Sequence, residues 1–349
     1  MEMDSYTLKD REKAILRYII HQFIMTANPV GSRYISKKYD IGLSPASIRN
    51  IMSDLEDLGY LNHPHTSAGR IPTDKGYRVY VDSLMDPPKL DKNLRKMIDS
   101  NFDTASNATE DILLVASNIL TELTNQIAVV SFPKFDNAVL EKIQIVLLSS
   151  TRILVIISVI SGVVRTITLE LNAEVKEEQI NKVQSILNEK LGGLKFSEIK
   201  TSIGNRVKDI DDDSFKPIVR VFLDSVDKIF KTESSEKTII SGTKNLIKQP
   251  EFESVQHFQS IIELIENKDI IIHILETQKS NVSDITITIG HENSDEKFCN
   301  YSMISKEYTF GDVKGTLGIM GPKRMEYPRI VAAVQYIADQ LSNELKKQI

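Results

Sequence analysis

The chain has 349 residues, 41% of them hydrophobic and 26% charged, with no tryptophan and a formal net charge of −5. This is the composition of a soluble globular protein of about two or three domains, and the negative balance denies the whole chain a nucleic-acid signature. The single cysteine, Cys299, excludes an intrachain disulfide framework and a multi-cysteine zinc site, and suits a reducing cytoplasm.

Residues 1–85 hold 11 Lys+Arg against 10 Asp+Glu, and the remaining residues hold 32 against 38, so a weakly basic head precedes an acidic body. The opening "MEMDSYTLKDREK" has acidic residues where a signal peptide carries positive ones, and no apolar run follows. Thr7 to Asp10 reads as a capping-box variant opening a first helix, with Ile15, Leu16, Ile19, Ile20 and Phe23 as its apolar stripe and Asn28-Pro29 ending it. "GSRYISKKYD" supports a short second helix capped by Ser32.

The next stretch, "GLSPASIRNIMSDLEDLGYL" (Gly42–Leu61), is a third helix with Ser44 as cap and Pro45 at its first position. Ile48, Ile51, Met52, Leu55 and Leu58 give it one apolar face, and Gly59 ends it. The other face begins with Ser44, Ala46, Ser47, Arg49, Asn50 and Ser53, which are short or hydrogen-bonding. Alone, such a face would be an ordinary solvated surface. As the last helix of a helix-turn-helix pattern it suits a groove: short side chains permit close approach, Arg pairs with guanine and Asn with adenine.

Tyr60-Leu61 and Arg70-Ile71 read as short extended pieces around the turn-rich "NHPHTSAG", which makes the head a winged helix. The wing tip offers hydroxyls and amides to phosphates, and Arg70 at its base reaches toward a minor groove. The expected DNA-contacting set is Ser32, Ser44, Pro45, Ala46, Ser47, Arg49, Asn50, Ser53, His65, Thr66, Ser67 and Arg70. Thr73-Asp74 opens another helix, and Pro87-Pro88 closes the segment.

Lys92–Gln126 reads as mostly helical, Glu141–Leu171 as three strands, Glu174–Leu191, Lys216–Phe230 and Phe252–Glu266 as helices, and Asp209–Phe215 as a loop. Val282–Ile289, Phe298–Tyr308 and Val313–Ile319 read as three more strands, and Tyr327–Lys346 as a final helix. The apolar run Ile143–Val164 is split by Ser149 to Arg152, so each half falls short of the ~20 residues needed to span a bilayer. An α+β body follows.

His63 and His65 lack further ligands for a metal nearby, "GTLGIMGPKR" (Gly315–Arg324) fails the phosphate-loop spacing, and "DIDDD" lacks the calcium-loop spacing. His257, His273 and His291 are scattered, and Cys299 falls in an expected strand. No cofactor, metal or enzymatic activity is expected.

The string from Asn28 to Asp82, with "NEKLGGL" (Asn188–Leu194), "SGTKNLIKQPEF" (Ser241–Phe252), "ITIGHEN" (Ile287–Asn293) and the segment Gly315–Ser342, resembles the HrcA family of heat-inducible transcription repressors over essentially the whole chain. The resemblance implies a cytoplasmic repressor of chaperone operons that binds double-stranded DNA as a homodimer, at an inverted repeat called CIRCE. It also implies partnership with the chaperonin GroEL, which favours the active repressor until heat draws it away.

The architecture so implied is a winged helix-turn-helix at 1–88, a GAF-like α/β domain at 89–171 and 280–349, and an inserted α+β dimerisation domain at 172–279. In that scheme the three strands before the interruption and the three after share the GAF-like sheet. The competing reading is a ligand-sensing regulator whose GAF-like domain binds a small effector.

Overall fold

The structure is a computed structural model, describing residues 8–64, 69–105, 108–160, 162–208, 215–230, 238–246, 249–252, 285–293 and 295–347. The expected helix Phe252–Glu266, most of the acidic loop, His257 and His273 lie outside the described residues.

The first three helices are α1 (Asp10–Thr26), α2 (Ser32–Lys38) and α3 (Pro45–Asp57). α1 starts later than its expected cap: Lys9 is the N-cap, and the Glu12 carboxylate accepts the Lys9 amide at 2.8 Å. It ends at Ala27, whose left-handed φ of 56° turns the chain before Pro29. α2 is capped by Gly31 and not by Ser32, which occupies the first helical position without a side-chain cap bond. Ile15, Leu16, Ile19 and Ile20 of α1 meet Ile35 of α2 and Ile48, Met52 and Leu55 of α3 in a closed core, each burial contributing about 1.5–3 kcal/mol.

Two short strands follow, β1 (Leu61–Asn62) and β2 (Ile71–Pro72), paired Leu61 to Pro72 and Asn62 to Ile71. Just before β2, Arg70 exchanges two backbone hydrogen bonds of 2.9 Å with Val30, tying the ribbon to the turn between α1 and α2. A Cβ on Gly69 would lie 2.5 Å from the Val30 carbonyl carbon, so this bridge requires glycine. α4 (Asp74–Val79) opens under a Thr73 cap and runs into a wider turn, Tyr80–Leu84.

The body opens with α5 (Lys92–Asp103) and α6 (Thr109–Thr124), followed by β3 (Ile127–Ser131), which is buried throughout. β4 (Leu140–Ser149), β5 (Arg152–Val159) and β6 (Val164–Glu170) are the three strands expected from Ile143–Val164 and its flanks. α7 (Glu177–Leu191), α8 (Phe196–Arg206), α9 (Lys216–Asp224) and α10 (Val226–Ile229) come next. The chain returns through β7 (Thr238–Ser241), α11 (Thr243–Leu246) and β8 (Thr286–Ile289), and closes with β9 (Tyr301–Phe310), β10 (Val313–Pro322) and α12 (Tyr327–Lys346).

The strands sort into two separate sheets beyond the β1–β2 ribbon, which corrects the expectation of one shared sheet. β7-β3-β10-β9-β8 is antiparallel, with α6 and α12 packed on it. β4-β5-β6 is its own antiparallel meander. The reason is local: tight turns satisfy β4, β5 and β6 among themselves, and α7 closes the outer edge of β4 with side chains. Asn188 both accepts from the Ile143 amide and donates to its carbonyl at 2.7 Å, and Gln184 accepts from the Ile145 amide at 2.8 Å. No further strand can enter there. The late strands pair instead with β3 and, through it, β7, two short runs not singled out in the sequence. Cys299 also differs from expectation, sitting on a short turn just before β9.

Among the described residues no helix is long and apolar enough to cross a membrane.

Candidate nucleic-acid interface

α3 presents its first two turns to solvent. Ser44 Oγ accepts the Ser47 amide at 3.1 Å and lies 3.0 Å from Ser47 Oγ, so the cap is a paired serine knot. Pro45 fixes the first helical position, where no amide is needed. Pro45, Ala46, Ser47, Arg49, Asn50 and Ser53 are all exposed, while Ile48 between them is fully buried. The side chains of Arg49, Asn50 and Ser53 have no hydrogen-bond or ion-pair partner among the described residues. The helix is therefore clamped to the core on one side and leaves free polar groups on the other.

These residues line a cleft of about 480 Å³ formed by Gly31, Ser32, Arg33, Pro45, Ala46, Arg49, Asn50, Met52, Gly69 and Arg70. The cleft brings six of the expected contact residues together: Ser32, Pro45, Ala46, Arg49, Asn50 and Arg70. Ser44, Ser47 and Ser53 lie on the same helix outside its lining. His65, Thr66 and Ser67 fall outside the described residues.

Arg70 is more constrained than the sequence suggests. Its Nε lies 2.7 Å from Glu56 Oε2, although the N–H is not aligned for a hydrogen bond, and Glu56 also contacts His63 Nδ1. This carboxylate pins the ribbon base to the last turn of α3.

Sequence reasoning missed Arg33 at the mouth of the cleft. The signal was present: from Ser32 to Asn50 the chain carries Arg33, Lys37, Lys38 and Arg49 against one carboxylate, Asp40. Lys38 lies over the Tyr34 and Tyr39 rings at 5.4 and 5.7 Å and donates to Gln22 Oε1 at 2.6 Å. A hydrogen bond with Tyr34 raises its pKa against a small opposing effect of burial, so it stays cationic. Such a surface, with short side chains, free Arg and Asn heads and a local excess of cations, accepts a polyanion of groove-like shape.

The helix is also coupled to the rest of the molecule. Thr73 Oγ1 donates to Gly59 O at 2.7 Å and Lys75 Nζ to Leu58 O at 2.9 Å, so α4 grips the carbonyl end of α3. α4 in turn meets the body. Asp74 accepts from Lys323 Nζ at 2.6 Å and from the His291 amide at 3.1 Å, with His291 Nδ1 2.7 Å away. Burial works against ionisation of Asp74, but the hydrogen bonds from Lys323 and His291 outweigh it and hold its pKa below the usual 3.8.

Residues 110–331 match the family model described as the HrcA protein C-terminal domain. A protein of Chlorobium phaeobacteroides (strain BS1) named heat-inducible transcription repressor HrcA is 41% identical, the alignment covering 97% of this chain and 99% of that protein. Its namesake in Chlorobium chlorochromatii (strain CaD3) is 40% identical over 99% of this chain and 100% of its own. The family model begins after the first three helices, whereas these full-length relatives include them. A crystal structure of a hypothetical protein aligns with 98% of this chain and 100% of its own at a TM-score of 0.59 and 23% identity, a likeness of fold.

Proposed function

The chain belongs to the HrcA family of heat-inducible transcription repressors, and from that premise we propose that it represses chaperone operons by binding the CIRCE inverted repeat as a homodimer in the cytoplasm. The observation that carries the DNA reading is the exposed, unpartnered pair Arg49 and Asn50 on a helix whose neighbours are short. In this reading residues 1–88 form a winged helix-turn-helix, α3 is the recognition helix, and Ser32, Ser44, Pro45, Ala46, Ser47, Ser53 and the wing residues His65, Thr66 and Ser67 position it on the backbone. Arg70 supports the wing from its base. The body around the five-stranded sheet is the GAF-like part, and the inserted unit begins in the segment before β4 and not at residue 172, a reading that the separate β4-β5-β6 sheet supports.

The inserted unit supplies the dimer surface. Its inner sheet face packs on α7, but Val146, Leu148, Ile160 and Val164 are 44%, 52%, 63% and 56% exposed. A patch of this kind marks an interaction surface, and a second copy is its occupant. One head contacts too few bases for high affinity, whereas two joined heads bind at high effective concentration. The same apolar strands make the unit dependent on GroEL when they are exposed during folding.

A salt titration tests the function. Binding to an inverted-repeat duplex must exceed binding to a scrambled one, with two protomers per duplex and a steep salt slope. Equal weak binding to both duplexes, unchanged by added chaperonin, rejects it.

A cleft of about 480 Å³ where the GAF-like body meets the head favours the second reading, in which that domain binds a small effector. Phe23, Ile71, Tyr77, Tyr301, Lys323 and Arg324 are among its lining residues, and the Tyr77 hydroxyl is buried without a partner. A tight ligand there raises thermal stability by mass action, so a thermal-shift screen against metabolites separates the two.

A further inference from the structure

Among the described residues the head touches the body at two polar points. At the first, Asp74 is held by Lys323 and His291, and Arg78 reaches Glu292 and donates to the Ile287 carbonyl at 2.7 Å. Arg78 Nε donates to Glu292 Oε1 at 2.8 Å, making a forked contact with both carboxylate oxygens. Gly290 closes this point: its φ is +58°, and a Cβ there would lie 2.1 Å from Asp74 Oδ2. At the second, Arg324 donates to the Ile24 carbonyl at the end of α1 at 2.7 Å while its other edge is held by Glu251.

The first point is rigidly connected to the reading helix. α4 carries Asp74 and Arg78, and Thr73 and Lys75 bind the last carbonyls of α3. The direction of α3 relative to the body is thereby set by named hydrogen bonds. Covalently, head and body are joined only by residues 85–91 between the turn after α4 and α5. Such a connection reaches roughly 23 Å when extended, enough slack to let an undocked head swing.

Two reading helices on one face of a duplex stand about 34–36 Å apart, or a multiple of that distance. Adding one base pair moves a half-site by about 3.4 Å and turns it by about 35°. A swinging head follows such a change; a clamped head does not.

We propose that this polar clamp fixes the distance and angular phase between the two reading helices of the dimer, so that Asp74, Arg78, Glu292, Lys323 and Arg324 are positioning residues that determine which half-site spacing is bound. The proposal rests on the reading of the chain as a dimeric repressor. The clamp residues contribute nothing to base readout; they select among operators whose half-sites are identical and whose spacers differ. The Tyr77 and Tyr327 rings also meet between head and body, 6.0 Å between centroids, and are left untouched by the substitutions below.

The experiment is binding of the full-length dimer to duplexes with identical half-sites and spacers changed one base pair at a time, alongside a single half-site duplex. The wild type shows a sharp optimum, losing about tenfold or more in affinity for each base pair of displacement. Arg78→Ala, and separately Glu292→Gln on the body side, flatten the profile to within about threefold across neighbouring spacers. Their single half-site affinity stays within about twofold of wild type.

An unchanged profile in both variants overturns the proposal. So does tighter binding at the wild-type spacer with no broadening, which would make the contact an inhibitory one. If the wild type itself shows no preference for any inverted repeat over a scrambled duplex, the repressor reading fails first, and that outcome is distinct from a wild-type optimum that the variants leave intact.

Discussion

α3 and α4 are neighbours in the chain and touch each other, yet they treat polar side chains in opposite ways. On α3, Arg49, Asn50 and Ser53 reach into solvent with no partner among the described residues. On α4, Asp74 and Arg78 are fully engaged, with Lys323, His291, Glu292, Asp82 and the Ile287 carbonyl. Polar groups that fold a protein find their partners within it; those left free at a shaped surface await a partner from outside. The contrast separates the helix proposed to read DNA from the helix proposed to aim it.

The sharpest way to break it is to give the free face an unwelcome charge. Ala46→Glu is expected to lower operator affinity by roughly hundredfold or more, because like charges opposed across an interface cost several kcal/mol. Thermal stability should hardly move, since Ala46 is exposed. A titration of labelled operator, with a melting curve on the same sample, checks both halves.

Removing a reader is milder and more informative. Arg49→Ala should lose about 1–3 kcal/mol of discrimination at one base pair, and binding to scrambled DNA should fall far less. A cognate-to-scrambled ratio equal to wild type would show that Arg49 does not read bases.

On the aiming helix, Asp74→Asn should cost about 1–2 kcal/mol of stability, as expected for charge-assisted hydrogen bonds that are partly exposed, with little loss of half-site affinity. The pH dependence has a definite sign. The folded pKa of Asp74 lies below 3.8, so its contribution is complete above that value and is lost as pH falls through the folded pKa. The stability difference between wild type and Asp74→Asn should be flat through neutral pH and shrink only in acid.

The smallest effect belongs to the cap that the two helices' shared geometry depends on least. Ser44→Ala removes the acceptor for the Ser47 amide and should cost about 0.5–2 kcal/mol, visible as a lower melting temperature of the head, with base preference retained.

How far the sequence carried can be judged at particular residues. The apolar stripes of α1 and α3 were readable because helical spacing alone forces one face inward, and Ile15, Leu16, Ile48 and Leu55 are all fully buried. α12 was readable over its whole length for the same reason. β3 was not, because a short strand buried on both faces has no alternation to detect, and β7 was not, because its four half-buried residues show no alternation either. The partition of strands into two sheets was equally hidden, since pairing is non-local and the decisive residues, Gln184 and Asn188, look like an ordinary polar face of α7. At the candidate site, Arg49 and Asn50 were legible from their place in the helix, while the Arg70–Glu56 pair and the clamp joining residue 74 to 291 and 323 depend on chain segments that only the fold brings together.

The closure of the β4 edge by Gln184 and Asn188 bears on how copies of the chain can add to one another. Among the described residues β6 pairs only with β5, so among them the meander has one blocked margin and one unpaired. A strand arriving at β6 extends the sheet once, and if it is the β6 of an identical chain, its own far margin is blocked as well. The sheet then ends on both sides in helix side chains. Growth stops at two, because a self-complementary two-fold contact closes on itself while a head-to-tail one would propagate. Two amide side chains thus mark the difference between a pair and a fibre.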